Sequence, residues 1–519
     1  MILNLIYTIG KYLGLFGLAY FIYVLYCVLV VPYLFWRKYR KYPNVKTQEN
    51  FAPVIGDIVN EVTLVKQGKV HYEYRKDLGK ELEKYDIRAK LDWWNPCFMI
   101  LSNRALEEVI QLQKSCVDKQ YVSYGLSAMI PHGFGIQKTN TKTIQRRKNV
   151  TTWLGLNGAS KFIPHMVECC ESILDNMEEE GTIDLMHEMN SLTFNVFVKI
   201  MLGDDINKLE STLYPYTNPD GKVENITLKE MLIRLTNAYV QHYINPLTFL
   251  MPFLNEYHLV NPYKRDYKNN QLFKKYIKEV VESSDNKDSI GKKFLNNEDC
   301  TPEQRLDDMI AIMVAGTETT SHSLVSCLYY LDKHPDIKEK LKKELEKEGF
   351  TKGEGFLASI GVDSIQNCTY LNCVIKETLR CDTVIQDSFD YECSKDTTIC
   401  GVPIPKGSHF RVDLVSSHYD DKKWLQPKEF IPERFDFESE FYKKSKELGL
   451  TGGVYSRRSF GHGNRACPGQ SFALLEMKIA IAYFTLHLEY NFSEEDLSKD
   501  GIGFALMSQF NPKVACKRK

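Results

Sequence analysis

The 519-residue chain carries no excess of charge of either sign. Its 66 lysines and arginines balance 67 aspartates and glutamates, and nothing in that balance points to nucleic acid or to an acidic partner. It lacks paired cysteine spacing. The 14 cysteines are scattered; Cys169 and Cys170 are adjacent, and Cys368 and Cys373 do not form a C-x-x-C. That pattern excludes a disulfide framework and a zinc cluster and suits a reducing compartment. After the N-terminal region no Gly/Ser-rich or Pro-rich linker divides the chain, although its length alone would suggest several domains. No flavin-binding or dinucleotide-binding pattern is visible. The average composition is that of a globular protein with a large core.

Charge is nearly absent from residues 1–36. Lys11 is the sole charged side chain there, and none occurs from Tyr12 to Trp36. A bilayer needs roughly 20 apolar residues, so the run can span one, and it is too long for the apolar core of a signal peptide. Tyr33 and Trp36 suit the interface, and Arg37, Lys38, Arg40 and Lys41 follow. By the positive-inside rule the larger part of the chain then lies in the cytosol. Residues 1–36 are read as an anchor, 37–50 as a basic linker and 51–519 as the catalytic domain. One anchor with a cytosolic domain suggests the endoplasmic reticulum.

The stretch F-G-H-G-N-R-A-C-P-G, Phe460 to Gly469, places one cysteine in a glycine-rich turn just before an apolar run. Gly461, Gly463 and Gly469 offer positions without a Cβ, where unusual φ and close approach are tolerated. Pro468 suits the first position of a helix, which would put Cys467 at the N-cap, where the helix dipole favours a thiolate. Phe460 can shield the sulfur, and Arg465 can pair with a carboxylate. The residues alone also allow a buried, inert cysteine. As a pattern, F-G-x-G-x-R-x-C-x-G resembles the heme-ligand signature of the cytochrome P-450 family, with all its fixed positions present.

Other landmarks stand upstream in the order the resemblance requires. Thr301-Pro302-Glu303-Gln304 is a helix start with a capping box, and the helix can run to His334, before Pro335. At 1.5 Å per residue it is roughly 50 Å long. Its centre reads Ala315-Gly316-Thr317-Glu318-Thr319-Thr320, an unfavourable choice on helix propensity. Small Ala315 and Gly316 let a flat ligand lie against the backbone or let another helix cross. The Thr319 hydroxyl can bond the carbonyl four residues back. The segment resembles the family's A-G-x-E-T-T, which implies that Thr319 hydrogen-bonds bound dioxygen and that Glu318 relays protons. Glu377 and Arg380 share a helix face. Alone they would mean little; with Arg434 of Pro432-Glu433-Arg434-Phe435 they resemble the family's Glu-Arg-Arg lock. His418, Asp420, Trp424, Pro427 and Phe430 follow the family's spacing.

Two departures stand out. The family's W-x-x-x-R has Lys142 or Thr143 where tryptophan is usual, leaving Arg147 or Arg146 for the propionate contact, or else a solvated basic face. The prolines usual after E-x-x-R are missing from Cys381-Asp382-Thr383-Val384. In residues 118–137 the apolar Tyr121, Leu126, Met129, Ile130 and Phe134 fall where the family places a loop over the substrate, and Leu228 to Phe253 falls where it places a lid. Tyr85 to Leu91 and Phe98 to Leu101 are expected to pair as strands. Gly181 is expected to separate two helices, residues 264–299 to form a solvated helix and loop, and Gly501 to Phe510 to form a terminal hairpin.

The resemblance implies a mainly α fold with small β-sheets, a long central helix over the heme and a cysteine-ligand loop. It implies heme b (iron protoporphyrin IX) with Cys467 as axial iron ligand and Phe460, Arg465, Gly469 and Arg147 around it. It implies a membrane-bound monooxygenase of the microsomal type acting on an apolar small molecule. Electrons would come from an NADPH-cytochrome reductase, with cytochrome b5 as a further donor. Two other readings remain at this stage: a heme-thiolate isomerase or dehydratase, against which Glu318 and Thr319 argue, and a non-catalytic heme-binding protein.

Overall fold

The computed structural model describes residues 2–57, 73–120, 125–202, 211–245, 248, 250–287, 289–351, 355–492 and 512–518. The expected hairpin at 501–510 lies outside them. The chain forms two units. One takes in residues 1–71, 81–118 and 389–413; the other takes in 72–80, 119–388 and 414–519.

The first unit begins with the helices Ile2–Leu25 and Val31–Tyr39, joined through a π-helical turn at Tyr26–Val30. Among the described residues, the 26-residue segment Gly14–Tyr39 is the one long and apolar enough to cross a membrane. Its far end is fastened. The Trp36 indole Nε1 donates to the Gln48 carbonyl at 3.0 Å and the Tyr39 hydroxyl to the Pro403 carbonyl at 2.8 Å. The expected strand pair is present as Ile87–Asp92 antiparallel to Asn95–Ile100. His409–Val412 adds in parallel to the second of these and Tyr391–Cys393 antiparallel beyond it, with Val45–Lys46 on the opposite edge. Gly56 has φ +58°, and a Cβ there would lie 2.1 Å from the Trp93 carbonyl oxygen. No other residue fits that turn.

The second unit is built around the helix Pro302–Lys333. Thr301 Oγ1 accepts from the Gln304 N–H at 3.3 Å while Gln304 Oε1 accepts from the Thr301 N–H at 3.1 Å, the reciprocal cap expected from the sequence. Residues 320–328 of this helix are buried, and the helix packs against Leu185–Leu202 and Gln470–His487. Gly316 decides one open question from the sequence. A Cβ on it would meet the Phe197 ring at 2.1 Å, so its smallness serves a helix crossing. Ala315, beside it, remains exposed.

Gly181 separates the helices Ile163–Asn176 and Leu185–Leu202 as expected, and it does so in the strand Glu180–Asp184, which pairs with Lys513–Arg518, itself paired with Leu488–Phe492. Two expectations change. The helix Tyr263–Ser283 is not solvated all round. It buries Asp266, Asn269 and Asn270 together with Phe273 and Ile277, because these polar groups find partners: Asn269 bonds the Thr217 backbone at both N–H and carbonyl, and Asn270 bonds the Met129 carbonyl. A short helix, Ile290–Leu295, then replaces part of the expected loop. The Asn218-Pro219-Asp220-Gly221 turn closes a hairpin of Tyr214–Thr217 with Val223–Ile226, with Gly221 at φ +84°.

One interior group is costly. Glu476, on Gln470–His487, is 1% exposed, and neither carboxyl oxygen has a hydrogen-bond partner among the described residues. Burial pushes its carboxyl well above the ordinary value. Such a group destabilises the fold as pH rises above the unfolded carboxyl's pKa, because the unfolded chain then ionises more readily than the folded one. Glu476→Met is therefore expected to raise stability at neutral pH by about 1–3 kcal/mol, and by less in acid, as read from urea unfolding at the two pH values.

Candidate active site

The cysteine loop is shaped by its backbone. Gly461 and Gly463 take φ +67° and +68°, and the Cys467 N–H donates to the Phe460 carbonyl at 2.8 Å, closing the turn. Phe460 packs on the main core. Gly469 has an ordinary φ of −93°. The following helix begins at Gln470 with Gly469 as its N-cap residue, so Cys467 is not the N-cap. The reason is local. Pro468 and Gly469 form a turn that aims the Gly469 N–H at the sulfur; burial raises the thiol's pKa above its ordinary value, and this contact opposes the rise.

Cys467 has two surroundings at once. Its residue surface is exposed, yet desolvation by the protein around it pushes the thiol up, while the Gly469 N–H and the charge of Arg147 pull it down. Both hold if the sulfur borders an interior cleft and not bulk water. Ala315 is likewise exposed, between the half-buried Val314 and Gly316 of the central helix. The two elements are joined through Phe197, which seats against Gly316 and lies 5.2 Å, centroid to centroid, from Phe472 on the helix after the cysteine. A soft sulfur donor with a backbone N–H beside it, and a small-residue face on a rigid helix, fit a flat iron macrocycle with a thiolate ligand.

On the helix face, Thr319 Oγ1 donates to the Ala315 carbonyl at 2.7 Å, the bond expected from the sequence. Glu318 is pushed above the ordinary carboxyl range by burial alone. Ser321 Oγ donates to the Glu318 carbonyl at 3.0 Å, and Thr193 Oγ1 to the Thr317 carbonyl at 3.0 Å, so this turn is held on two sides by hydroxyls.

The adjacent arginines of the helix Thr141–Trp153 part company. Arg146 is buried and bonds Asp308 of the central helix through Nε at 2.7 Å and through Nη2, and it also donates to the His132 carbonyl at 2.6 Å. Arg147 turns to the cysteine loop and donates to the Ala466 carbonyl at 2.6 Å. Of the two candidates, Arg147 is therefore the one beside the sulfur. Thr143, at the family's tryptophan position, is buried at the start of this helix, where its N–H meets Asn140 Oδ1 at 2.9 Å. Arg465 reaches the loop before the helix, donating from Nη2 to the Gln137 carbonyl and to Thr139 Oγ1, both at 2.7 Å, and from Nη1 to the Phe134 carbonyl at 3.3 Å. Asp307, Asp308 and Thr139 escape sequence reading: Arg146 and Asp308 stand 162 positions apart, and no local pattern joins them. Met129, Ile130 and Phe134 of the same loop are core residues, and Tyr121 lies outside the described residues.

Glu377, Arg380 and Arg434 are brought together and fully enclosed. Arg380 grips Glu377 in a fork, Nε to Oε2 and Nη2 to Oε1, both at 2.8 Å. Arg434 Nε lies 3.2 and 3.3 Å from the same two oxygens. The remaining donors bond carbonyls of 418, 427 and 429 from Arg380 and of 425 and 426 from Arg434. Burial opposes ionisation of Glu377, but the two guanidiniums and the Ile431 N–H outweigh it and hold the carboxyl below its ordinary value. Thr383, where proline is usual, bonds the Leu379 carbonyl and His418 Nδ1.

A family profile described as Cytochrome P450 matches residues 87–509. The chain is 32% identical over 437 residues to cytochrome P450 3A2 of Rattus norvegicus, covering 79% of this chain and 80% of that one. It is 32% identical over 286 residues to cytochrome P450 3A11 of Mus musculus, covering 51% and 53%, and 34% identical over 258 residues to cytochrome P450 3A41 of the same species, covering 46% and 48%. The matched part spans about half the length of the two mouse relatives. With the central helix, the buried arginines and the cysteine loop in that order, the chain belongs to the cytochrome P450 family, whose cofactor is heme b.

Proposed function

We propose that the protein is a monooxygenase that inserts one atom of dioxygen into an apolar small molecule, the second atom leaving as water. Electrons come from an NADPH-dependent flavoprotein reductase, with cytochrome b5 as a further donor. The N-terminal helix holds the protein in the endoplasmic reticulum membrane with residues 51–519 in the cytosol. The observation that carries the reading is the pairing of an accessible Cys467 with a Glu318-Thr319 turn on one rigid helix face.

Heme, when bound, supplies the iron chemistry that activates dioxygen. The chain supplies the rest. Cys467 ligates through sulfur, and the Gly469 N–H and Arg147 moderate the charge on it. Thr319, anchored by its bond to the Ala315 carbonyl, presents a hydroxyl that can rotate to donate to oxygen. Glu318, whose pKa burial raises, is a nearby proton source. Glu377, Arg380 and Arg434 serve as a structural lock and take no part in proton or electron movement.

The test is turnover of sterols, fatty acids and xenobiotics by the full chain with reductase and NADPH under isotopically labelled dioxygen. One labelled atom per product molecule is expected. Product that forms without label or without reductase would mark an isomerase and overturn the reading. Thr319→Ala is expected to keep the thiolate-type spectrum of the ferrous carbon monoxide adduct and to keep oxidising NADPH. Product formed per NADPH should fall and hydrogen peroxide rise, as measured in the same assay.

A further inference from the structure

Arg465 and Ala466, the two residues immediately before Cys467, are both held from the same side. Arg465 is held by the segment 134–139 and Ala466 by Arg147. That segment is fixed in turn. The His132 N–H donates to Asp307 Oδ2 at 2.8 Å and the Phe134 N–H to Asp308 Oδ1 at 2.7 Å. Arg146 closes the set between Asp308 and the His132 carbonyl, and the Arg147 guanidinium stands 5.7 Å from the Phe134 ring centroid. The central helix, the segment 132–139 and the cysteine loop are thus joined by charge-assisted bonds, which are the stronger kind.

The other acceptors of Arg465 and the Ala466 acceptor of Arg147 are main-chain carbonyls, which any side chain would provide. Thr139 is different. Its hydroxyl accepts from Arg465 Nη2 at 2.7 Å, and that contact depends on the residue type. We propose that Thr139 is a positioning residue for Arg465 and, through it, for the sulfur of Cys467. This rests on the heme-thiolate reading above. With the hydroxyl in place, the guanidinium is fixed in one plane between Gln137 and Thr139, and the two peptides leading to Cys467 are stretched between fixed points. Without it, Arg465 keeps its bonds to the Gln137 carbonyl and, at 3.3 Å, to the Phe134 carbonyl, and the cysteine loop loses the one tie in this set that a side-chain hydroxyl supplies.

The experiment uses the full chain loaded with heme, comparing Thr139→Val with Thr139→Ser. Three quantities are read: the rate of heme transfer to a heme-free globin, the share of ferrous carbon monoxide adduct with the thiolate-type band over time, and the urea midpoint. For Thr139→Val, heme transfer is expected to quicken by about tenfold, the scale for losing one hydrogen bond to a charged group. The thiolate-type band should decay into the form without thiolate while the urea midpoint stays put. Thr139→Ser, which keeps the hydroxyl, should behave as the native chain. Native heme retention and a stable band in Thr139→Val would overturn the proposal. So would equal impairment of Thr139→Ser, which would assign the effect to the methyl group. A native chain that gives no thiolate-type band would instead overturn the heme-thiolate reading itself.

Discussion

Glu377→Ala is expected to yield a chain that does not fold to a heme-binding state. The substitution leaves Arg380 and Arg434 enclosed with no anion between them, 2% and 1% exposed. Arginine cannot shed its proton to escape. Breaking a buried ion pair from one side costs about 3–5 kcal/mol, a large part of the roughly 5–15 kcal/mol that holds a typical domain together. The loss does not stop at the pair, since these guanidiniums also bond the carbonyls of 418, 425, 426, 427 and 429, the segment that leads into the cysteine loop. The measurement is recovery of soluble protein and its heme content. Glu377→Asp, which keeps the charge but shortens the reach, should recover part of both. The same carboxylate sets a pH dependence. Its folded value is depressed, so its contribution is complete above the unfolded carboxyl's pKa and is lost as pH falls through the folded one. Acid unfolding should release heme together with tertiary structure.

Cys467→Ser is the second large effect. The hydroxyl is nearly isosteric with the thiol, so the Gly461 and Gly463 turns and the bond from residue 467 N–H to the Phe460 carbonyl can persist. What disappears is a thiolate. Serine does not ionise near neutrality, and the Gly469 N–H and Arg147, which only partly offset the upward push of burial at this position, cannot bring a hydroxyl within range. The expected protein folds, retains some heme, gives no thiolate-type band with carbon monoxide and forms no product in the reductase assay. A normal band in this variant would remove Cys467 as the ligand.

The sequence was informative where a function rests on neighbours along the chain. The capping box at Thr301 and Gln304 and the Thr319 bond to the carbonyl four residues back both follow from local rules of helix geometry, and the structure has each of them. The cysteine loop was legible as a pattern but not in detail. Whether Cys467 caps a helix depends on how Pro468 and Gly469 turn, a choice of one residue's backbone that composition does not reveal. The division of labour between Arg146 and Arg147 was not legible at all. Two adjacent basic residues on a helix point in different directions, and which one meets Asp308 depends on an element far away in the chain. The same holds for Gly316, where a ligand-facing glycine and a crossing glycine have the same one-letter code, and Phe197 decides between them.

The join at the end of the N-terminal helix changes what that helix is. A chain tied to a bilayer by a slack leader would tumble on it like a buoy on a rope. Here Phe35 and Tyr39 seat against Phe98 with ring centroids 5.1 and 4.8 Å away, and the Tyr39 hydroxyl is fastened to the Pro403 carbonyl. The helix is a mast stepped into the sheet it carries, so the tilt that lipid thickness imposes on one is imposed on the other. Trimming the chain to make it soluble should therefore stop before Phe35, because cutting beyond Tyr39 would bare the Phe98 face and trade a membrane protein for an aggregating one.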